Sequence, residues 1–523
     1  MFARVVAGWG LRTQRHRHRP RRLLGIHTKA AAAEPREPAR LPASSTCGRV
    51  RRMDELGGPS FVSTLYWLFV KGYFQRTQQM QIEHKKLYGP LWKSTYGPLV
   101  VVNVASAELI EQVLRQEGRY PVRTDMPHWR RYRELREQAY GPLTEMGENW
   151  HRIRSILNPR MLKPKHVASY VDIINPVVAD FVERLYCLRD GGLVRDVTGE
   201  LYKFAFEGIC SVLFETRLGC LERDVPDETH KFICSVGEMF RLSAVVILFP
   251  ERHWPYLPFW NKFVAAWDHL FKFAEELVQK KLEDLQTRGE RADGDVEGAY
   301  LTHLLLSDKM SLTEILGSVT ELLLAGVDTT SNTISWALYH LAKEPSIQDR
   351  LHQEVSAVSP ASRGMPTAQD IARMPFLKAV VRETLRLYPV VPGNARLTVE
   401  NEIVVGDHLF PKKTLFHLCH YAVSHDEDVF PEPHRFLPER WLRHSNARQQ
   451  QHPFGSVPFG FGIRACLGRR VAELEMYLLL ATLIGGFEVR PDPNATGPVK
   501  PITRTLLCPA TPINLIFADR PHT

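Results

Sequence analysis

One short segment near the carboxyl end, Pro458–Gly468, constrains the fold more than any other part of the chain. It reads PFGFGIRACLG, so three glycines and one cysteine come just before a stretch with helical periodicity. Glycine lacks a Cβ, which leaves room for a flat group to lie against the backbone. Backbone N–H groups at a helix start stabilise a thiolate. The pattern therefore indicates an axial metal ligand at Cys466, with Arg464 beside an anionic substituent of a cofactor; the alternative is a turn with a buried cysteine.

The rest of the chain has mainly helical periodicity. Short alternating segments predict strands before residue 106, within 396–413 and at 487–490. No repeat and no linker divides the body. The pattern predicts one large, mainly α domain with small β-sheets over residues 56–523, after a flexible lead-in at 34–55. Helices are predicted from about residue 106 and at 144–157, 165–190, 197–218, 262–287, 312–343, 346–357, 373–388 and 468–484.

The net charge of +9 is concentrated at the amino terminus. Residues 1–33 hold eight basic side chains and no acidic one, and the remaining residues hold 59 basic and 58 acidic side chains. A near-neutral body argues against nucleic-acid binding. An Arg-rich, acid-free leader with Phe2, Val5 and Trp9 among its arginines is typical of a mitochondrial transit peptide, whereas a disordered basic tail is the alternative. We therefore predict a transit peptide over residues 1–33.

Two apolar stretches bear on membrane contact. Phe61–Val70 is too short for a spanning helix, which needs about 20 apolar residues. Ser243–Phe263 is rich in apolar and aromatic side chains, including Trp254 and Leu257, and carries basic residues. Such a loop suits insertion into one leaflet, while a Trp-rich hairpin in the core is the alternative. The sequence thus predicts peripheral membrane contact.

The other cysteines and a histidine pair favour ordinary structural roles. Eight cysteines in 523 residues, with no CxxC pair, argue against a disulfide scaffold, so we expect reduced and mostly buried thiols. His417 and His420 have no accompanying carboxylate motif and are interpreted as strand or core residues.

The order F-x-x-G-x-R-x-C-x-G within Pro458–Gly468 resembles the haem-binding signature of the cytochrome P450 family. Every fixed position of that signature is matched. The resemblance implies haem b as cofactor, with Cys466 as the thiolate ligand of iron, as is known for this family. It also implies dioxygen as co-substrate and the family's mainly helical fold. The matched positions, all expected to contact the cofactor, are Phe459, Gly462, Arg464, Cys466 and Gly468.

The segment AGVDTT at 325–330 resembles the family's oxygen-activation motif. Gly326 within a helix costs about 1 kcal/mol relative to Ala, which is understandable if the helix opens over the haem. The resemblance implies that Ala325 and Gly326 leave room for dioxygen, and that Asp328 and Thr329 deliver protons. The alternative is a pair of threonines bonded to their own helix backbone.

Further motifs of the family occur in the expected order. Glu383 and Arg386 match E-x-x-R, which Arg440 of a later P-E-R segment completes in a structural role. Trp150 and Arg154 have the spacing of the family's haem-propionate pair, and Arg396 matches another propionate-binding position. By spacing alone, an i, i+3 Glu/Arg pair is usually a weak surface pair.

Mitochondrial members of the family receive electrons from a small acidic [2Fe–2S] ferredoxin, which an NADPH-dependent reductase supplies. The resemblance implies a basic docking face on the helix with E-x-x-R. Lys378 and Arg382 are four residues apart and share one helix face, and Arg469 and Arg470 follow the cysteine. These four residues are predicted to dock the ferredoxin; a solvated basic face is the alternative.

Longer segments resemble the mitochondrial sterol hydroxylases within the family. They include residues 116–133, 161–170, 322–345, 383–397 and 452–476. This likeness implies hydroxylation of a sterol side chain at the terminal methyl, with vitamin D3 at carbon 25 as a further substrate, on the matrix side of the inner membrane. Met126, Trp129 and Val391 are pocket residues by the same likeness. A vitamin D 1α-hydroxylase-like or retinoid-oxidising enzyme, and a haem-binding protein without turnover, are the alternatives.

Overall fold

The computed structural model describes residues 50–96, 99–287, 300–360, 364–443, 445 and 451–521. The predicted transit peptide therefore lies outside the described residues. Within the described ranges, helices dominate and four small sheets accompany them. The α-helices, numbered α1 to α17 in chain order, are Phe61–Leu65, Thr77–Tyr88, Ala107–Arg115, Pro127–Leu135, Gly147–Leu162, Pro164–Ser169, Val171–Leu188, Val197–Phe214, Asp227–Val246, Pro258–Thr287, Tyr300–Leu306, Leu312–Lys343, Pro345–Val358, Ala368–Ala372, Pro375–Leu387, His420–Ser424 and Arg469–Gly486.

The strands of the described residues, whose bounds end this paragraph, form four sheets with the orders β2-β3-β8-β5, β1-β7-β6, β4-β12-β9 and β10-β11. In the four-stranded sheet, β8 pairs parallel with β3 and antiparallel with β5, which sets Arg396 opposite Phe416. The strands are β1 Arg51–Arg52, β2 Leu91–Tyr96, β3 Leu99–Val104, β4 Leu193–Val194, β5 Asn394–Leu397, β6 Ile403–Val405, β7 His408–Phe410, β8 Leu415–Leu418, β9 Phe487–Pro491, β10 Pro501–Arg504, β11 Leu506–Pro509 and β12 Leu515–Asp519.

Helix α12, with 32 residues, runs through the core and carries the AGVDTT segment. A capping box begins it: the Ser311 hydroxyl accepts from the Glu314 N–H at 3.2 Å, and the Glu314 carboxylate accepts from the Ser311 N–H at 2.9 Å. Most of its side chains are buried on every face, so packing with its neighbours stabilises it rather than one apolar stripe. Helix α8 is one of those neighbours.

Several element boundaries differ from the sequence-based expectation. The helix predicted at 165–190 is divided into α6 and α7 around Tyr170. Helices α2 and α9 were not predicted, and α9 extends to Val246 within the stretch interpreted as a loop. At the end of the predicted lead-in, β1 pairs with β7 and a 3-10 turn follows at Met53–Glu55.

The structure also tests what was expected of the cysteines, the histidine pair and a membrane-spanning helix. The seven cysteines in the described residues are free, as expected. The expectation that most thiols are buried is wrong for them: Cys210, Cys220 and Cys419 are buried, Cys466 and Cys508 are half-buried, and Cys187 and Cys234 are exposed. His417 lies in β8, where its Nδ1 is 3.1 Å from the Asn103 amide oxygen, and His420 begins α16. Burial lowers the pKa of His417 to about 4, so it is a neutral core residue. No described helix combines the length and the apolar character needed to cross a bilayer.

Candidate functional site

The loop that carries Cys466 is held by its own backbone. The Cys466 N–H donates to the Phe459 carbonyl at 2.8 Å, and the Ala465 N–H donates to Gly462 at 3.0 Å. Gly460 and Gly462 have φ of 72° and 68°, a left-handed conformation that favours glycine. Helix α17 begins three residues after the cysteine, as its spacing predicted. These bonds fix the loop without using the thiol.

The thiol of Cys466 is surrounded by groups that favour a thiolate. Burial raises its pKa, and the N–H of Gly468, the guanidinium groups of Arg123 and Arg154 and the N–H of Arg469 all act to lower it. A metal ion would lower the pKa of the thiol further, since a thiol that coordinates a metal is deprotonated. Burial is the largest of these effects, so the pKa of the thiol stays above its ordinary value, and a bound metal ion would be needed to favour the thiolate.

Four arginines converge beside this loop. Arg154 Nη2 donates to the Ala465 carbonyl at 2.8 Å, and Arg123 Nη2 donates to the Arg464 carbonyl at 2.6 Å. Arg464 Nε donates to the Pro121 carbonyl at 2.7 Å, while its guanidinium lies 3.6 Å from the centre of the Trp150 ring. Burial, followed by the repulsion of Arg123, Arg154 and Arg396, lowers the pKa of Arg464 to about 9.

Positive charge at this cluster is only partly balanced. Glu117, the carboxylate that pairs with Arg396, also acts on Arg464 and Arg123. The Trp150 indole N–H and the Arg154 Nε–H are buried and without a partner among the described residues. Buried N–H donors on and beside cationic side chains suit a ligand that brings two further carboxylates to the cluster. The residues present therefore fit a haem, whose propionates would accept from these donors and whose iron Cys466 would bind.

The oxygen-motif residues lie on α12. Asp328 is buried, which raises the pKa of its carboxyl to about 7, against the opposing hydrogen bond from Tyr202. A group with that pKa can both release and accept a proton near neutrality. The Thr329 hydroxyl donates to the Ala325 carbonyl at 2.7 Å, the backbone bond considered as the alternative role. In this position its oxygen still has lone pairs that can accept.

The structure explains the glycine at position 326 differently from the sequence-based expectation. Helix α12 is continuous through residues 325–330, so it does not open at the glycine. A Cβ at Gly326 would come within 2.7 Å of Ile209 Cγ1 on α8. The missing side chain therefore allows α8 and α12 to pack closely, and the expected opening of the helix is not present.

Glu383, Arg386 and Arg440 come together as the motif predicted. The Glu383 carboxylate accepts from Arg386 at 2.7 and 2.9 Å, from Arg440 at 3.0 Å and from the Trp441 indole at 2.8 Å. Arg386 Nη1 also donates to the Ser424 and Pro433 carbonyls, both at 2.8 Å. All three charged residues of the motif are buried, which excludes the weak surface pair.

The basic residues predicted to dock a partner lie on two neighbouring helices. Lys378 and Arg382 are on α15, and Arg469 and Arg470 begin α17. Arg382, Arg469 and Arg470 are exposed, and Lys378 is half-buried. Arg469 forms a salt bridge of 3.3 Å with Glu473, which also faces Lys378. Arg382 acts on Lys378, and Arg382 and Arg469 both act on Tyr477, so these three basic residues lie near one another. Two acidic side chains, Glu354 and Glu473, lie near Lys378.

The apolar stretch Ser243–Phe263 is divided between core and surface. Trp254 is buried, donates its indole N–H to the Phe249 carbonyl at 2.9 Å and stacks on Trp260. Placing Trp254 in a membrane-inserted loop was therefore wrong, because its ring faces the protein. The exposed apolar side chains of this stretch are Ile247, Leu248, Phe249 and Tyr256.

The three pocket candidates occupy different environments. Trp129 is buried, donates to the Ser243 hydroxyl at 3.0 Å and packs edge-on against Trp267. Met126 precedes α4 and packs against the main core, and Val391 is exposed. Their contact with a substrate stays a prediction.

Sequence reasoning missed Glu117, Arg123 and Tyr202 as site residues. Glu117 and Arg123 belong to a segment that was noted only for its overall likeness to relatives. Tyr202 lies on α8, 126 positions before Asp328, and no local spacing relates the two. An excess of arginines over acidic residues among the predicted site residues could have prompted a search for a carboxylate such as Glu117. The place of Tyr202 beside α12 follows only from the packing of α8 on α12.

Comparison with known proteins gives one family and a set of full-length relatives. The family model "Cytochrome P450" matches residues 57–517. Sterol 26-hydroxylase, mitochondrial, from Homo sapiens is 46% identical over 514 residues, which cover 95% of this chain and 96% of that protein. The Rattus norvegicus protein of the same name is 47% identical over 90% of each chain. Human 25-hydroxyvitamin D-1 alpha hydroxylase, mitochondrial, is 46% identical over 90% of this chain and 93% of its own.

Proposed function

Because the chain belongs to the cytochrome P450 family, and is thus a haem-dependent monooxygenase that uses dioxygen, we propose that it hydroxylates the side chain of a sterol. Cholesterol and related bile-acid intermediates would be attacked at the terminal methyl. The observation that carries this proposal is the near-complete alignment with proteins named sterol 26-hydroxylase. A vitamin D hydroxylase is the second candidate, favoured by the similar identity to the 1 alpha hydroxylase.

Different residues of the chain would have different roles in the reaction. A haem with a thiolate ligand supplies the oxidant that inserts one oxygen atom of dioxygen into an unactivated C–H bond. Cys466 would hold the iron, and the four arginines with Trp150 would hold the propionates. Asp328 would pass protons inward, and the Thr329 hydroxyl would accept a hydrogen bond during that delivery. No side chain has to act as a nucleophile.

A carrier without turnover is less well supported. A protein that only holds haem has no use for a carboxyl that exchanges protons near neutrality, and Asp328 is such a group in the buried middle of α12. Burying a carboxyl without full hydrogen bonding costs stability. Turnover explains this cost.

Substrate choice is tested by a spectral titration of the purified holoenzyme. The ligands are cholesterol, its side-chain-hydroxylated derivatives and vitamin D3. Product analysis then follows with reconstituted ferredoxin and its reductase. We expect sterols to perturb the haem spectrum and to yield a terminal-methyl alcohol. Tight binding and turnover of vitamin D3 alone would favour the second candidate, and binding without any product would favour a carrier.

Electron supply from an acidic [2Fe–2S] ferredoxin accords with the basic face of α15 and α17. Opposite charge speeds encounter between such proteins by about tenfold or more at low salt. Relatives are named mitochondrial, and the Arg-rich leader favours import, so we place the protein on the matrix side of the inner membrane. A ferredoxin with its NADPH-dependent reductase would serve it there.

Reversing the charge of Lys378 and Arg382 is expected to raise the ferredoxin KM about tenfold or more and to reduce its salt dependence. The haem spectrum should not change, since neither side chain contacts the cysteine loop. Lys272→Glu on the exposed face of α10 is the matched control. Equal KM values for the double variant and the control would contradict the docking assignment.

Two exposed apolar groups support peripheral membrane contact. One is the Ile247–Phe249 turn with Tyr256, and the other is Phe61–Val70, where the exposed side chains include Val62, Phe69 and Val70. Contiguous apolar surface of this kind is typical of membrane or protein contacts. Lys71 and Arg252 flank them and suit anionic lipid.

The double variant Leu248→Asp/Phe249→Asp is expected to release the mature protein from anionic vesicles. Burying one such side chain is worth about 1.5–3 kcal/mol, so each replacement should weaken partition about tenfold or more. Co-sedimentation measures the effect, with Val404→Asp as control because Val404 is a similarly exposed apolar residue on β6. Sedimentation that matches the control would show that this turn does not insert.

A further inference from the structure

The Glu117 side chain lies between Arg396 and the loop that carries Cys466. Its Oε1 forms an ion pair with Arg396 Nε, and its Oε2 lies 3.6 Å from the position that a Cβ would occupy at Gly462. The side chains of Glu117 and Arg396 are only 11% and 4% exposed, so water and salt screen their charges weakly. One carboxylate therefore reaches both strand β5 and the turn before the cysteine.

The backbone on either side of Glu117 is fixed by its neighbours. Gln116 Nε2 donates to the Val404 carbonyl on β6 at 2.8 Å, and Gln116 Oε1 accepts from the Val404 N–H at 3.4 Å. On the other side, a Cβ at Gly118 would come within 2.5 Å of the Glu400 carboxylate, so the two segments approach closely. The position of the Glu117 carboxylate is thus set by the chain and not only by its bond to an arginine.

The other hydrogen bonds of the four arginines bring acceptors without negative charge. Three of the arginines donate to backbone carbonyls, and Arg396 Nη1 donates to the Ala395 carbonyl at 2.9 Å. The Glu117 carboxylate, in contrast, attracts Arg396, Arg464 and Arg123 alike. Carbonyls therefore hold the geometry of the arginine cluster, and Glu117 offsets part of its charge.

We propose that Glu117 is a positioning residue for the haem: it orients Arg396 for a propionate, and its negative charge offsets part of the positive charge that the propionates meet. Arg396 would be shared between Glu117 and a propionate, since a guanidinium has several N–H donors. The inference rests on the assignment of the cofactor to this cluster. A fixed negative charge near haem iron favours the ferric state, whose charge is higher than that of the ferrous state. Glu117 thus lowers the reduction potential of the iron.

The first experiment measures this reduction potential by spectroelectrochemical titration of the holoenzyme. Glu117→Gln keeps the shape of the side chain and removes its charge. We expect the ferric–ferrous equilibrium to shift toward the ferrous state by about three- to tenfold, which is about 28–59 mV for a one-electron couple. Glu400→Gln is the matched control, because Glu400 is an exposed carboxylate of the same region and forms no ion pair with the described residues. The control should leave the potential unchanged.

The second experiment separates the reach of the side chain from its charge. Glu117→Asp keeps the charge but is one methylene shorter, and the fixed backbone cannot move to restore the bond to Arg396. We expect this variant to shift the potential less than Glu117→Gln does. Its haem should transfer to excess haem-free myoglobin about tenfold faster than the parent's, as is typical when a residue that supports a ligand is lost. Glu400→Gln should release haem at the parent rate.

Arg396→Gln distinguishes a failure of this inference from a failure of the haem assignment. Removing a positive charge should lower the potential, opposite to the effect of Glu117→Gln. A shift in Arg396→Gln but none in Glu117→Gln, or haem release from Glu117→Asp at the rate of the control, would overturn the role of Glu117. No shift in either variant would instead overturn the placement of the propionates beside Arg396. Opposite shifts together with faster release from Glu117→Asp support the inference, and none of these measurements depends on which sterol is the substrate.

Discussion

Glu383→Gln is expected to lower the free energy of unfolding by about 3–5 kcal/mol, a large part of the roughly 5–15 kcal/mol that stabilises a typical protein. The Glu383 carboxylate is the shared acceptor of Arg386 and Arg440, and all three side chains are buried. An amide at this position would leave two guanidinium groups without an anion. It would also point a donor at donors, including the Trp441 indole.

Loss of the Glu383 carboxylate should also destabilise the segment that leads to the cysteine loop. Arg386 donates to the Ser424 and Pro433 carbonyls, and Arg440 donates to Pro431 at 3.1 Å, so the segment before the haem loop is fastened to this carboxylate. We therefore expect weaker haem retention as well as an earlier urea transition. Both are measurable on one sample by absorbance and tryptophan fluorescence.

A surface carboxylate serves as the matched control for this prediction. Glu228 pairs with Lys231 at 2.6 Å on α9, and both side chains are more than half exposed. Glu228→Gln is expected to cost no more than about 0.5 kcal/mol. Equal urea midpoints for the two variants would show that the buried network does not stabilise the fold.

Local spacing predicted much of the site because several motifs lie within single helices. Glu383 and Arg386 are three apart, and Trp150 and Arg154 are four apart, so each pair shares a helix face. The partnership with Arg440, 54 residues further on, came only from the family resemblance. Helical periodicity likewise predicted α12 and α17 within about two residues.

Tertiary contacts account for what sequence reasoning missed. The sequence shows that Ser243–Phe263 is apolar, but burial of Trp254 depends on Trp260 and on His128 of α4. Gly326 was interpreted through its effect on one helix, whereas its reason is the approach of Ile209 from another. Glu117 and Tyr202 lie far along the chain from the site residues near them, so no short sequence motif contains both partners.

Cys466→Ser is expected to abolish sterol hydroxylation while leaving the fold intact. A hydroxyl is nearly the same size as the thiol but does not ionise to bind iron as a thiolate does. The loop should persist, because it is held by backbone bonds such as the one from Cys466 N–H to Phe459 and by Arg154 on the Ala465 carbonyl. Losing a partner that merely supports a ligand costs about 10–100-fold, so losing the ligand should cost at least about a hundredfold.

Three measurements, two on the haem-loaded protein and one on the apoprotein, decide this prediction. Carbon monoxide binding should lose the absorbance signature of thiolate ligation, turnover should vanish, and the urea transition of the apoprotein should stay within about 0.5 kcal/mol of the parent. Cys187→Ser, at an exposed thiol on α7, should leave all three unchanged. Retained turnover with the thiolate signature would exclude Cys466 as the ligand, and because the four arginines converge on this same loop, it would also remove the reason for placing the propionates beside them.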